Sequence, residues 1–182
     1  CRELDIALRV HIKTHKVPEI AHRQIAAGAI GIACQKLGEA EVMAEAGIDN
    51  ILIPYNIVGK PKLERLTRLV KQKTVIVAVD SETTANGISQ QAQADGCVVG
   101  VIIEMDTGGR RCGVQSPQEA LELAQKITQM PGQDFQGIMT YPSNSRAKPF
   151  IEETVDLLSK AGIPVKIISG GGTGCEVASK EI

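Results

Sequence analysis

The chain has 182 residues and a formal charge of -1 with 23% charged side chains, a balance without the single-sign surface that nucleic acid or an anionic membrane requires. Its 43% hydrophobic content supports one sizeable core, and no apolar run is long enough to cross a bilayer or to act as a leader, so cytoplasm is the expectation. Five widely spaced cysteines without a CxxC pair, Cys1, Cys34, Cys97, Cys112 and Cys175, disfavour a disulfide framework or a compact zinc site and read as reduced, mostly buried thiols.

The first element is "LRVHIK", starting at Leu8. Alternation predicts a strand that buries Leu8, Val10 and Ile12 and turns Arg9, His11 and Lys13 to the opposite face. A lysine directed into a covered parallel sheet is either a liability or an instrument. Six further runs follow: "AIGIAC" (29–34), "NILIPY" (50–55), "TVIVAVD" (74–80), "GCVVGVIIEMD" (96–106), "FQGIMTY" (135–141) and "PVKIISG" (164–170). Helical material follows each of them. Ser116, Pro117 and Glu119 form an N-cap and capping-box signal, and Gly47 and Gly162 stand where left-handed caps end helices.

Regular strand-helix alternation predicts parallel strands, in either an open doubly wound sheet or a (β/α)8-type TIM barrel. Seven units are legible over residues 1–182, whereas a closed barrel takes eight in roughly 250 residues. Residues 1–182 therefore read as one apparently incomplete barrel domain, either a fragment of a longer protein or an open barrel. In either fold the strands' C-terminal ends share one rim, and reading those ends gives Lys13, Gln35, Tyr55, Asp80, Glu104, Asp106, Tyr141 and Ser169. Both tyrosines of an aromatic-poor sequence fall there.

"IISGGGTG" brings an apolar strand into a triple glycine between Ser169 and Thr173. Such a turn lets backbone N–H groups approach a phosphate, the alternative being a plain flexible turn. A lysine and a phosphate cup at one mouth are the requirements of pyridoxal 5'-phosphate (PLP), whose aldehyde bonds lysine; a surface lysine is the competing reading.

"HIKTHKVPEIAHRQIAAGAIGIACQKLGEAEVMAEAGIDNILI", "EMDTGGRRCGV", "GIMTYP" and "ISGGGTG" resemble, in this order, the barrel domain of the D-threonine aldolase and D-serine dehydratase group, relatives of alanine racemase. The resemblance implies Lys13 as the Schiff-base lysine, Arg111 beside the cofactor's phenolic oxygen and Tyr141 at the pyridine nitrogen. Ser169, Gly170, Gly171, Gly172 and Thr173 resemble the phosphate cup. Two departures stand out: Val10 replaces a usual Pro, and "TYPSNSRAKP" replaces the Gly-His that often follows this tyrosine, a change that bears on substrate preference.

His11 shares a face with Lys13, and His15 follows the strand, so either could support the site or be a packed, hydrogen-bonded histidine. His22, inside the first helix, reads as solvated. Asp106 either orients Arg111 or satisfies its own glycine-rich turn. The resemblance further implies a C-terminal β-domain outside this chain that carries a divalent metal, Mn or Zn, and a site completed in a homodimer. The resulting expectation is a PLP-dependent lyase acting on β-hydroxy-D-amino acids, best as a D-threonine aldolase. The alternatives are a D-serine dehydratase, an amino-acid racemase or a PLP-binding protein without turnover.

Overall fold

The seven β-branched runs become β1 (Arg9–His11), β2 (Gly31–Ala33), β3 (Ile51–Ile53), β4 (Val75–Val79), β5 (Val99–Met105), β6 (Gln133–Thr140) and β7 (Ile167–Ser169) in a computed structural model. The structure describes residue 1, residues 5–172 and residue 175. All neighbouring strands pair in parallel and in chain order, from β1 to β7. Six helices make the crossovers: α1 (Pro18–Ala26), α2 (Leu37–Glu45), α3 (Lys60–Val70), α4 (Glu82–Asp95), α5 (Pro117–Gln129) and α6 (Ala147–Lys160). A doubly wound sheet reverses its strand order at a switch point. This sheet never reverses, so it is a barrel wall with seven strands among the described residues.

Period two splits β2, β3, β4, β5 and β6 between two cores. Val75, Val77 and Val79 of β4, with Val99, Val101 and Ile103 of β5, join the cluster shared with the helices, packing with Leu66, Ile88 and Ile127. Ile76, Ala78 and Ile102 point the other way, into the barrel, with Ala33, Leu52 and Met139. Each fully buried Ile or Leu contributes about 1.5–3 kcal/mol, so the larger helix-facing cluster dominates the stability of the wall.

Local signals act as their chemistry requires. Ser116 Oγ accepts the Glu119 N–H at 3.2 Å, while the Glu119 carboxylate reaches back to the Gln115 N–H at 2.7 Å, one residue before the N–H of a regular capping box. Gly47 and Gly162 take positive φ after α2 and α6.

β1 departs from the alternation. The strand stops at His11, whose Nδ1 accepts the Lys13 N–H at 3.3 Å, and residues Ile12–Thr14 form a 3-10 turn. Ile12 is fully buried, but Leu8 is 45% exposed because β1 pairs only with β2 among the described residues. Lys13 therefore rises from a turn at the rim and not from the strand face. The cysteines are free thiols and only Cys34 is buried; Cys97, Cys112 and Cys175 are half-buried and Cys1 is exposed. No helix among the described residues is long and apolar enough to cross a membrane.

Candidate functional site

One step of two residues beyond the apolar floor of the barrel lies a polar layer. Gln35 follows Ala33, Asp80 follows Ala78, Glu104 follows Ile102, Tyr141 follows Met139 and Ser169 follows Ile167 at that spacing. The same parallel register that stacks the apolar residues thus collects these groups at the C-terminal ends of the strands.

Tyr141 is the centre of the layer. Lys13 Nζ lies 5.1 Å and Arg111 Cζ 4.9 Å from its ring centroid, both within cation-π range. Lys13 Nζ has no ion pair among the described residues, and the ring is 38% exposed, so the three groups gather at an accessible mouth. Tyr55 is 46% exposed elsewhere on the rim and takes no part in this stack.

Arg111 arrives on a loop that leaves β5 and returns to it. Asp106 N–H donates to Val114 O and Val114 N–H to Glu104 O, each at 2.9 Å, and Asp80 accepts the Gly113 N–H at 3.3 Å. Asp106 Oδ1 accepts from Gly108 N at 2.9 Å and Arg110 N at 3.0 Å, so this carboxylate satisfies the turn and reaches Arg111 only through it. Burial pushes Asp106 upward, yet those N–H groups outweigh it and hold the carboxyl below its ordinary value.

Glu104 behaves in the opposite way. Only 5% exposed, it is pushed above the usual carboxylate range by burial, against the opposing pull of its Cys112 hydrogen bond and the Arg111 charge. Burial, then the Glu104 charge and hydrogen bond, push the Cys112 thiol up to about 11. Sequence reading placed Asp80 and Glu104 on the rim without a role and read Cys112 as a plain buried thiol. The available signal was an acidic residue two positions after an apolar, inward-facing strand residue, Ile102 before Glu104 and Ala78 before Asp80.

The glycine segment packs against the turn after β6. Gly171 N–H donates to Ser143 Oγ at 2.6 Å and Ser143 N–H to Gly171 O at 2.9 Å. A Cβ on Gly170 would lie 2.6 Å from Ser143 Oγ, so close approach requires glycine there, while Gly172 takes φ +137, a conformation that favours glycine. Ser143, another residue that sequence reading missed, thereby takes the Gly171 N–H expected to face a phosphate. The N–H groups of Gly170 and Gly172 have no acceptor among the described residues. Thr173 lies outside them.

The histidines differ. His11 caps the Lys13 turn, and burial first, then the Lys13 charge, hold its imidazole below the ordinary value. His15 Nδ1 accepts the Val17 N–H at 3.1 Å, leaving a buried Nε2 without a partner. His22 Nε2 pairs with Ala46 O at 2.8 Å, so it ties α1 to the end of α2 where solvation was expected. No cluster of three or more His, Cys, Asp or Glu among the described residues is placed to hold a metal.

An amine, a guanidinium and a phenol in one stack, with open glycine N–H groups and an unpartnered imidazole N–H nearby in sequence, fit the donor set that PLP needs. Comparison with known proteins agrees with this chemistry. The chain is 38% identical to a D-threonine aldolase from Arthrobacter sp. over 93% of this chain and 48% of that protein. It is 34% identical to a 3-hydroxy-D-aspartate aldolase from Paracoccus denitrificans (strain Pd 1222), over 91% and 47% respectively. The crystal structure of D-threonine aldolase from Filomicrobium marinum superposes with a TM-score of 0.94 at 34% identity, covering 98% of this chain and 52% of that one. The chain thus spans about half the length of the curated relatives it matches. With residues 3–179 matching its sequence pattern, the chain belongs to the family described as alanine racemase, N-terminal domain.

Proposed function

We propose that the full-length protein is a PLP-dependent lyase of β-hydroxy-D-amino acids, and that it cleaves D-threonine to glycine and acetaldehyde. The observation that carries this reading is the gathering of Lys13 Nζ and Arg111 Cζ on the Tyr141 ring, at 5.1 and 4.9 Å. The 38% identity to a D-threonine aldolase supports the aldol cleavage over the alternatives.

Lys13 is the anchor for the cofactor's aldehyde, and its Nζ has no carboxylate among the described residues to hold it back. Arg111 donates to the phenolic oxygen and Tyr141 faces the ring nitrogen. Ser169, Gly170, Gly171, Gly172 and Thr173 hold the phosphate, with Gly170 and Gly172 supplying the N–H groups that Ser143 leaves open. Bound PLP supplies an electron sink for the pair released when the bond between Cα and Cβ breaks. His11 sets the Lys13 turn. His15, whose Nδ1 accepts, carries its proton on Nε2 when neutral and offers a donor to cofactor or substrate. Asp106 contributes through its turn. A Mn or Zn site in a C-terminal domain, a homodimer and a cytoplasmic location complete the proposal.

Product analysis of the full-length enzyme tests it. D-Threonine with PLP and divalent metal should yield glycine and acetaldehyde in equal amounts. A keto acid and ammonia would replace the aldolase by a dehydratase, exchange of alanine enantiomers by a racemase, and bound PLP without turnover by a binding protein.

A further inference from the structure

Past the end of β7 the chain has little stiffness of its own, because Gly170, Gly171 and Gly172 follow one another and glycine has the widest backbone freedom of any residue. Gly171 and Gly172 stand at φ +128 and φ +137. An anion cup built from such a segment binds well only if something fixes its shape beforehand. Among the described residues, two hydrogen bonds join these glycines to another element, and both belong to Ser143. Its Oγ accepts the Gly171 N–H at 2.6 Å, and its own N–H donates to Gly171 O at 2.9 Å.

Ser143 is itself held from the other side. It is only 3% exposed, and the next residue, Asn144, donates through Nδ2 to Thr107 O at 3.2 Å and to Pro142 O at 3.3 Å. Asn144 Oδ1 accepts the Arg146 N–H at 2.8 Å and Asn144 O the Ala147 N–H at 2.9 Å, where α6 begins. Thr107 is fixed in turn by a 2.8 Å hydrogen bond between its hydroxyl and that of Thr140, both of them buried. The turn after β6 is thus braced on the loop after β5 and on α6, and Ser143 passes that rigidity to the glycines. It lies in "TYPSNSRAKP", a part of the site that the family's usual Gly-His does not specify.

We propose that Ser143 is a positioning residue for the cofactor's phosphate: a latch that holds the glycine segment so that the N–H groups of Gly170 and Gly172 remain for the phosphate while that of Gly171 is withheld. The phosphate role rests on the PLP reading, and the latch rests on the hydrogen bonds alone. Gly170 completes the latch. Its φ lies outside the left-handed region, so an alanine there is limited by space, and Ser143 Oγ takes that space at 2.6 Å from the added Cβ. Ser143 Cβ would lie 3.9 Å from it, at ordinary contact. Removing the hydroxyl therefore removes the obstacle.

The test is a titration of the full-length apoenzyme with PLP and with pyridoxal, which has the same ring and aldehyde but no phosphate. Ser143→Ala should raise the Kd for PLP about tenfold, the scale of one lost hydrogen bond, and change the Kd for pyridoxal less than about twofold. An equal loss for both, or none for PLP, would overturn the proposal. Gly170→Ala should also weaken PLP about tenfold, yet the double variant should bind within about twofold of Ser143→Ala alone, because the two changes act on one contact. Multiplying losses would overturn it as well. Amide exchange in the apoprotein needs no cofactor: exchange at Gly171 should speed up in Ser143→Ala while that within β6 holds, and an unchanged Gly171 would end the latch. A wild type that takes up no PLP while Gly171 still loosens in Ser143→Ala would refute the PLP reading, and the phosphate role with it, and leave the latch standing.

Discussion

Lys13 at the end of β1 and Tyr141 at the end of β6 meet with 5.1 Å between Nζ and the ring centroid, although β2, β3, β4 and β5 separate their strands in the sheet. Five strand spacings in a flat sheet would put them about 24 Å apart at about 4.8 Å per spacing. The contact therefore measures how far the wall has curled. Curling is what brings an amine from one end of the chain to a phenol from the other.

Lys13 should carry the cofactor alone. Borohydride reduction of the PLP-loaded enzyme followed by peptide mapping should place the pyridoxyl group on Lys13, and Lys13→Ala should lose about three orders of magnitude in kcat. Lys16 already pairs with Glu39 at 3.0 Å, so a label found there would reject the assignment.

The two adjacent arginines should separate cleanly. Arg111→Ala should reduce kcat by about 100-fold or more, because it removes a charged donor from the stack. Arg110, at φ +52, presents its backbone N–H to Asp106 and stays off the ring, so Arg110→Ala should change kcat little. Steady-state kinetics on both variants decides the matter, and the reverse order would mean that the turn is misread.

Acid should weaken the fold through His11. Burial, the largest cause, and the Lys13 charge lower its folded pKa from 6.5, against smaller opposing effects of Glu39, Gln35 and the Ala33 carbonyl. The unfolded chain then binds the proton more readily, so this contribution is full above about pH 6.5 and is lost as the pH falls toward the depressed folded value. Urea titrations between pH 5 and pH 8 should show the slope in the wild type and a smaller one in His11→Gln. Equal slopes would exclude His11 as the source.

Gly137 should tolerate no side chain. It lies inside β6 at φ +142, next to the register shift between Val101 and Ile102, and a Cβ there would be 2.0 Å from Ile167 O. Gly137→Ala should cost about 3 kcal/mol through backbone strain, more if β7 is pushed off the sheet. Chemical denaturation reads the loss, and a variant as stable as the wild type would contradict the packing of β6 on β7.

The order of the elements was legible because it depends on local chemistry. β-Branched runs, Gly47 and Gly162 after helices, and Ser116 before Pro117 each act within a few residues, and alternating strand and helix leaves few topologies. Lys13, Tyr141 and the glycine segment were read from the strand ends and the triple-glycine turn, whereas Arg111 and the role given to each came from likeness to a known family. What the sequence could not determine is every relationship across the barrel. The 3-10 turn under Lys13 depends on a histidine side chain folding back on its own backbone, which cut β1 short. Ser143 claims the Gly171 N–H only because the ends of β6 and β7 lie side by side. The loop that carries Arg111 closes back on β5 only because Gly113 lets its backbone lie flush against Glu104 O, where Val114 N–H pairs. Period two states which way a side chain points, but only the curl of the sheet and the return of a loop decide what it meets there.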